Sequence, residues 1–314
     1  MQVASVRLDS KAVLDAILCN MSSLGSAQDA PGTRTFVKLC GAGNDFIVFD
    51  GADGLGDPSP AQITRLCERR YGVGADGLMV LRPGTGALAF ELDFYNADGS
   101  GGMLCGNGAR CALERARMLG LAPIGKTVRF RFGDAEYSGA SLSSGQARLD
   151  LDPGYRMDEP ITIAVGDLLM SGRFVDVGSL HFVIDFGAIV DAGGKPAFSS
   201  IDDVPVATLG KAVRNHPAFG TVGVNANFTE LRDGKLYVRT FERGVEDETL
   251  ACGTGSVSSA LVRWHDAQAV SPLVVLARSG DELVVEFKIA AGVVEGMSLS
   301  GPAFMSFEGR LSVS

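Results

Sequence analysis

The chain has 314 residues, 46% of them hydrophobic and 21% charged, a composition typical of soluble globular proteins that bury their own core. Its 28 basic and 37 acidic residues leave a net charge of −9, and without a basic run it is a poor match for nucleic acid or an anionic membrane. Six cysteines with no CxxC pair, and only three histidines, argue against a zinc site and against a secreted disulfide scaffold. The thiols are therefore expected to be reduced and the protein cytoplasmic.

Residues 1–35 read as an arm. Lys11 and Asp15 break any apolar signal-sequence core in the stretch 11–18, and Asp9 or Ser10 would cap a short helix running to Cys19. The Gly-, Ser-, Pro- and Thr-rich stretch after Ser22 reads as a linker. From Phe36 onward the pattern predicts short strands between glycine-rich turns: 36–39, 46–50, 78–81, 90–95, 127–132, 147–151, 175–177, 182–186, 226–231, 236–241 and 273–275. Helical spacing of apolar residues predicts helices over 61–70, 108–119, 206–215 and 255–267. Gly41-Ala42-Gly43 does not complete a GxGxxG and runs into a strand, which weakens a dinucleotide-binding reading.

The order strand, turn, strand, Cys-Gly-x-Gly, helix occurs twice. Gly74 to Arg82, the strand 90–95 and Leu104-Cys105-Gly106-Asn107-Gly108 are echoed by Val224 to Arg232, the strand 236–241 and Ala251-Cys252-Gly253-Thr254-Gly255. Asn44-Asp-Phe-Ile-Val-Phe49 has its echo in Leu180-His-Phe-Val-Ile-Asp185. An internal duplication of an α/β (α+β) unit follows. The expected organisation is an arm over 1–35, a first domain over 36–160 carrying Cys105 and completed by the last strand of the chain, and a second over 161–314 carrying Cys252.

A Cys-Gly-x-Gly at a helix start places a thiol beside first-turn amides that lack intrahelical acceptors, at the positive end of the helix dipole. Glycine lets an anion approach that backbone, and the thiol pKa is expected to fall below its free value of about 8.5. Two such units facing each other suit a two-base inversion of a carboxylate-bearing carbon, one thiolate removing the α-proton and the opposite thiol returning one. No metal, flavin or pyridoxal group is expected.

Taken in order, Cys40-Gly-Ala-Gly-Asn-Asp-Phe46, Arg70-Tyr-Gly-Val-Gly-Ala-Asp-Gly77, Tyr95-Asn-Ala-Asp-Gly-Ser100, Cys105-Gly-Asn-Gly-Ala-Arg110, Phe241-Glu-Arg-Gly244 and Glu248-Thr-Leu-Ala-Cys-Gly-Thr-Gly255 resemble the diaminopimelate epimerase family. The resemblance implies two pseudo-symmetric halves, each a curved mixed sheet around a central helix, and cofactor-independent epimerisation between them. It implies Cys105 and Cys252 as the acid/base pair, with the amides of Gly106, Asn107, Gly253 and Thr254 holding the α-carboxylate. Asn44, Asn96, Asn225, Glu242 and Arg243 would line the pocket, with His181 near the cleft. The expected partner is a small amino-acid substrate; assembly into a homodimer stays open.

Three positions depart from the family pattern. Ser179 stands where a distal-group asparagine is expected, Cys40 replaces a histidine, and the segment between Arg243 and Cys252 is one residue longer, with added charge at Glu246 and Asp247. These changes fall on the specificity side, so a racemase of another amino acid, for example histidine, is the competing enzyme reading. A thiol redox-sensing or binding protein is the competing non-enzyme reading. Cys19, Cys67, Cys111 and Cys40 read as structural, and His216 and His265 as surface positions.

Overall fold

The computed structural model describes residues 33–53, 56–102, 104–266 and 269–312. The helix expected before Cys19 and nearly all of the expected linker lie outside these residues. The first strand begins at Thr33, three residues earlier than expected, because residues 33–35 extend its ladder.

The first half runs β1 (Thr33–Gly41), β2 (Asn44–Asp50), α1 (Pro60–Cys67), β3 (Gly77–Pro83), β4 (Phe90–Asn96), α2 (Gly106–Met118), β5 (Val128–Phe132), β6 (Ala135–Ser143) and β7 (Gln146–Leu151). The short strands β8 (Arg156–Met157) and β9 (Ile161–Val165) follow. The second half runs β10 (Leu168–Asp176), β11 (Leu180–Val190), α3 (Val206–Arg214), β12 (Asn225–Arg232), β13 (Lys235–Glu242), β14 (Asp247–Thr249), α4 (Gly253–His265), β15 (Leu273–Ala277), β16 (Glu282–Ala290) and β17 (Val293–Pro302). β18 (Phe304–Ser312) ends the described chain.

The duplication is explicit in the ladders. From β1 to β7 successive pairs are antiparallel, parallel, antiparallel, parallel, antiparallel and antiparallel. From β10 through β11, β12, β13, β15 and β16 to β17 the order is the same. Each parallel pair needs a crossover, and α1, α2, α3 and α4 supply the four. The halves join where β7 and β17 pair antiparallel, Leu151 opposite Met297. β18 then returns along the free edge of β1.

α2 and α4 are buried on every side, as a helix enclosed by a curved sheet must be. Alanines at 109, 112 and 116 let the sheet close round α2, where Phe46, Phe90, Phe130 and Phe132 fill the space. Around α4 the lining is smaller: Val183, Leu236, Val238, Val275 and Val285 pack on Val257, Ala260 and Leu261. Burying each such side chain contributes about 1.5–3 kcal/mol. Gly41-Ala42-Gly43 is a hairpin turn. Gly41 pairs with Asn44, and Ala42 and Gly43 take φ of 52° and 90°, the two-residue loop that twisted strands favour.

Candidate active site

The two Cys-Gly-x-Gly segments that open helices fold alike. Cys105 (φ −105°, ψ 114°) caps α2, its Sγ accepting from the Gly108 amide at 3.4 Å. Cys252 (φ −110°, ψ 113°) caps α4, its Sγ accepting from Gly255 at the same 3.4 Å. Sulfur therefore takes the place a serine or aspartate oxygen has at an ordinary N-cap. Helix geometry leaves the amides of Gly106, Asn107, Gly253 and Thr254 without intrahelical acceptors. The two helix starts abut: a Cβ on Gly253 would lie 3.7 Å from the Gly106 Cα and 3.1 Å from Leu299 Cδ2. At Gly253 the tight neighbour is the Leu299 side chain, while the two helix starts lie at van der Waals distance from each other. A cleft of about 1280 Å³ opens beside them, with Ser179, Asn225, Glu242, Arg243, Cys252 and Thr254 in its wall.

The expectation of lowered thiol pKa values fails. Burial pushes both Cys105 and Cys252 upward, and the Glu242 carboxylate raises each further; the amide bonds to sulfur pull the other way but do not prevail. The motif supplies the cap and the dipole, whereas depth in the fold decides the sign, because a thiolate loses hydration. Glu242 is itself raised by burial, against a hydrogen bond from Thr249 Oγ1 at 3.0 Å. The thiols are thus neutral in the resting protein near neutral pH.

A buried polar chain leads to Cys252. Thr240 Oγ1 donates to Asn227 Oδ1 at 2.9 Å. Asn227 Nδ2 lies 3.0 Å from His181 Nδ1 and faces the carbonyls of Phe182 and Asn225 at 3.5 Å, so it is the donor. His181 Nδ1 is then an acceptor and the ring proton sits on Nε2, 3.0 Å from Thr254 Oγ1. With that oxygen already accepting, the Thr254 hydroxyl proton is directed to Cys252 Sγ, 3.6 Å away. His181 is fully buried and its pKa falls to about 3, chiefly by burial. It is a neutral link in the chain and not a base for bulk protons. Asn227 and Thr240 were missed from the sequence. The available signal was the polar alternation Asn225, Asn227, Thr229 within a strand buried on both faces.

The remaining expected residues divide. Asn225 Nδ2 donates to Ser179 Oγ at 3.1 Å and to the Leu180 carbonyl at 2.9 Å, while its Oδ1 accepts from the Arg243 amide at 2.8 Å. The Arg243 guanidinium lies in the cleft wall with no carboxylate partner among the described residues. Asn44 Oδ1 accepts from Asn107 Nδ2 at 2.6 Å, and its own amide donates to Asp76 at 2.9 Å. Asn96 is exposed at the end of β4, and its amide donates to Ser100 Oγ at 3.0 Å in the turn that follows. The extra residue after Arg243 is absorbed in the β13–β14 hairpin, where Glu246 takes φ 60° and pairs with Arg214 at 3.1 Å. Cys67 and Cys111 are buried, Cys40 is half-buried, and all five cysteines of the described residues are free. His216 caps a turn, accepting from Ala218, and His265 is exposed beside Asp266.

Known proteins share this sequence and this shape. A family model described as diaminopimelate epimerase matches residues 36–138. The chain is 36% identical over 277 residues to the diaminopimelate epimerase of Chlorobaculum tepidum, covering 88% of this chain and 100% of that one. It is 34% identical over 289 residues to the diaminopimelate epimerase of Aquifex aeolicus, covering 88% and 97%. A hydroxyproline epimerase from Agrobacterium vitis, solved with bound trans-4-hydroxy-L-proline, superposes with a TM-score of 0.63 at 11% identity, covering 90% of this chain and 93% of that one. That last likeness is one of fold.

Proposed function

We propose, from the premise that this chain belongs to the diaminopimelate epimerase family, that it is an isomerase interconverting LL- and meso-diaminopimelate by passing the α-proton between two thiols. The observation that carries the reading is the abutment of two helix starts, each capped by a cysteine and each offering first-turn amides to one carboxylate.

In this mechanism the substrate α-carboxylate sits on the amides of Gly106, Asn107, Gly253 and Thr254, where partial positive charge is fixed before the reaction begins. The α-ammonium faces Glu242. Neutralising that carboxylate removes a charge that opposes both thiolates, so substrate binding itself favours loss of one thiol proton to solvent through the cleft, leaving one thiolate and one thiol. One thiolate then takes the α-proton as H⁺, leaving the electron pair on carbon, delocalised into the carboxylate. The opposite thiol donates its proton to the other face. The product is inverted and the thiol and thiolate have exchanged places, so no net proton is gained or lost. The Thr254 hydroxyl stabilises negative charge on Cys252 through the chain from His181. Arg243 takes the distal carboxylate, with Ser179 and Asn225 beside the distal amine.

Five free cysteines among the described residues fit a reducing compartment, and among those residues no helix is long and apolar enough to cross a membrane. We place the protein in the cytoplasm. The shorter Ser179 side chain favours a second reading, a racemase acting on another amino acid. The test is deuterium wash-in at the α-carbon in heavy water under reducing conditions. Exchange and inversion of diaminopimelate, abolished as net inversion in Cys105→Ala and in Cys252→Ala, is the expected result. Exchange of histidine or another amino acid but not diaminopimelate would establish the second reading. Exchange of none would overturn both.

A further inference from the structure

Arg110 is the largest fully buried side chain among the described residues, with no exposed surface. It makes no ion pair among the described residues. A buried cation without a counter-charge is costly. It is also out of place near the start of a helix, where the dipole disfavours positive charge. Its hydrogen bonds say what it does there. Nη2 donates to Asn107 Oδ1 at 2.6 Å and Nη1 to the Gly106 carbonyl at 3.3 Å, while Nε has no partner.

The first of these bonds fixes the Asn107 carboxamide. With its oxygen held by the guanidinium, its NH₂ must face the other way, where it donates to Asn44 Oδ1 at 2.6 Å and to the Ala251 carbonyl at 3.2 Å. Flipped, it would set oxygen against two acceptors and NH₂ against a cation. Ala251 directly precedes Cys252, so this one amide spans from the Cys105 helix start to the Cys252 helix start. The strand that joins the halves closes over it: a Cβ at Gly301 of β17 would lie 3.4 Å from Arg110 Nε. The corresponding position in the second half, five residues after its cysteine, is Val257. The device is therefore one-sided.

We infer that Arg110 is a positioning residue for the proton transfer: it holds Asn107 as a bridge between the two cysteine-bearing helix starts and so sets the separation of the thiols. This rests on the epimerase reading for its kinetic consequence but not for its structural one. Inversion needs both thiols placed on opposite faces of one carbon, whereas exchange with return to the same face needs only one. Loosening the bridge should therefore let exchange outrun inversion.

The experiment compares wild type, Arg110→Met, Arg110→Lys and Asn107→Leu by two readouts. Amide hydrogen exchange, followed by mass spectrometry without substrate, should show Arg110→Met and Asn107→Leu losing protection at residues 248–256 as well as around Cys105. Arg110→Lys, which keeps a donor for Asn107 Oδ1, should retain most of it. In heavy water with diaminopimelate, the ratio of exchange without inversion to inversion should rise on the order of tenfold in Arg110→Met and little in Arg110→Lys. This ratio does not depend on how much enzyme is folded. Wild-type protection at 248–256 in Arg110→Met, or an unchanged ratio, would overturn the inference. If Arg110→Met does not fold, Arg110→Lys and Asn107→Leu decide it by the same readouts. A wild-type protein that neither exchanges nor inverts diaminopimelate would overturn the proposed substrate while the protection data still judge the bridge.

Discussion

His181 offers a quantitative check on the buried chain that reaches Cys252. Its ring is neutral in the fold, with a pKa of about 3 against an ordinary 6.5. Between those values the unfolded chain binds a proton that the native protein refuses, so stability falls as pH falls, starting at the unfolded value. One proton contributes about 1.4 kcal/mol per pH unit. Lowering pH from about 7.5 to about 5 should therefore cost roughly 2 kcal/mol through this residue alone. Other groups titrate in the same range, so the quantity to measure is the difference between wild type and His181→Gln, which keeps a donor for Thr254 but cannot titrate. At the higher pH the variant should be less stable by about 1–3 kcal/mol, because the Asn227 NH₂ and Thr254 lose well-placed partners. At the lower pH the gap should have closed by roughly 2 kcal/mol. Urea unfolding at each pH gives both numbers. A gap that stays constant to within about 0.5 kcal/mol would mean that His181 titrates alike in both states, and the assignment of a neutral, Nε2-protonated link would fall.

Two further outcomes follow from particular contacts. Gly255 and Gly108 are equivalent in the duplication, yet a Cβ at Gly255 would lie 2.5 Å from Asn227 Oδ1, whereas at Gly108 the nearest neighbour is 3.5 Å away. Gly108→Ala should raise the melting temperature, gaining up to about 1 kcal/mol of helix propensity. Gly255→Ala should lower it through about 1–3 kcal/mol of overpacking that outweighs the same gain, and calorimetry showing one sign for both would refute the asymmetry. Arg243→Met should raise KM for diaminopimelate by about 10- to 100-fold, as expected for a lost charge-assisted bond, with a smaller effect on kcat. Steady-state kinetics with unchanged KM would remove the residue from the distal site.

Much of this fold was legible because duplication repeats a weak signal. One Cys-Gly-x-Gly is a turn among many glycines, but two in matching strand contexts named both helix starts, and both cap α-helices here. β16 and β17 were not anticipated, and β18 was expected only as an unplaced last strand completing the first half. β18 is exposed along most of its length and so lacks a buried alternation, and in β17 Met297 and Leu299 alternate with Ser298 and Ser300 but glycine at 296 and at the buried position 301 shortens the apolar stripe. Both are specified by long-range partners, β1 and β7, that no local window contains. In the site, the identity of the thiols was readable but their ionisation was not, since burial is a property of the assembled halves. Arg110 passed as an ordinary helix residue for the same reason: nothing local says that it has no counter-ion.

The pairing of β7 with β17 and of β1 with β18 bears on how the chain acquires its shape. Once residues 33–151 have been synthesised, every strand of the first ladder exists, but both of its flanks are still bare. The strands that cover them are the last two described, so closure depends on contacts of very large sequence separation, which slow folding. Through that interval two open edges are available to other chains. Expression at low temperature or with a chaperone should therefore improve yield more than any substitution in the core. A shortened chain lacking β17 and β18 should aggregate even though it carries Cys105 and every strand of the first ladder.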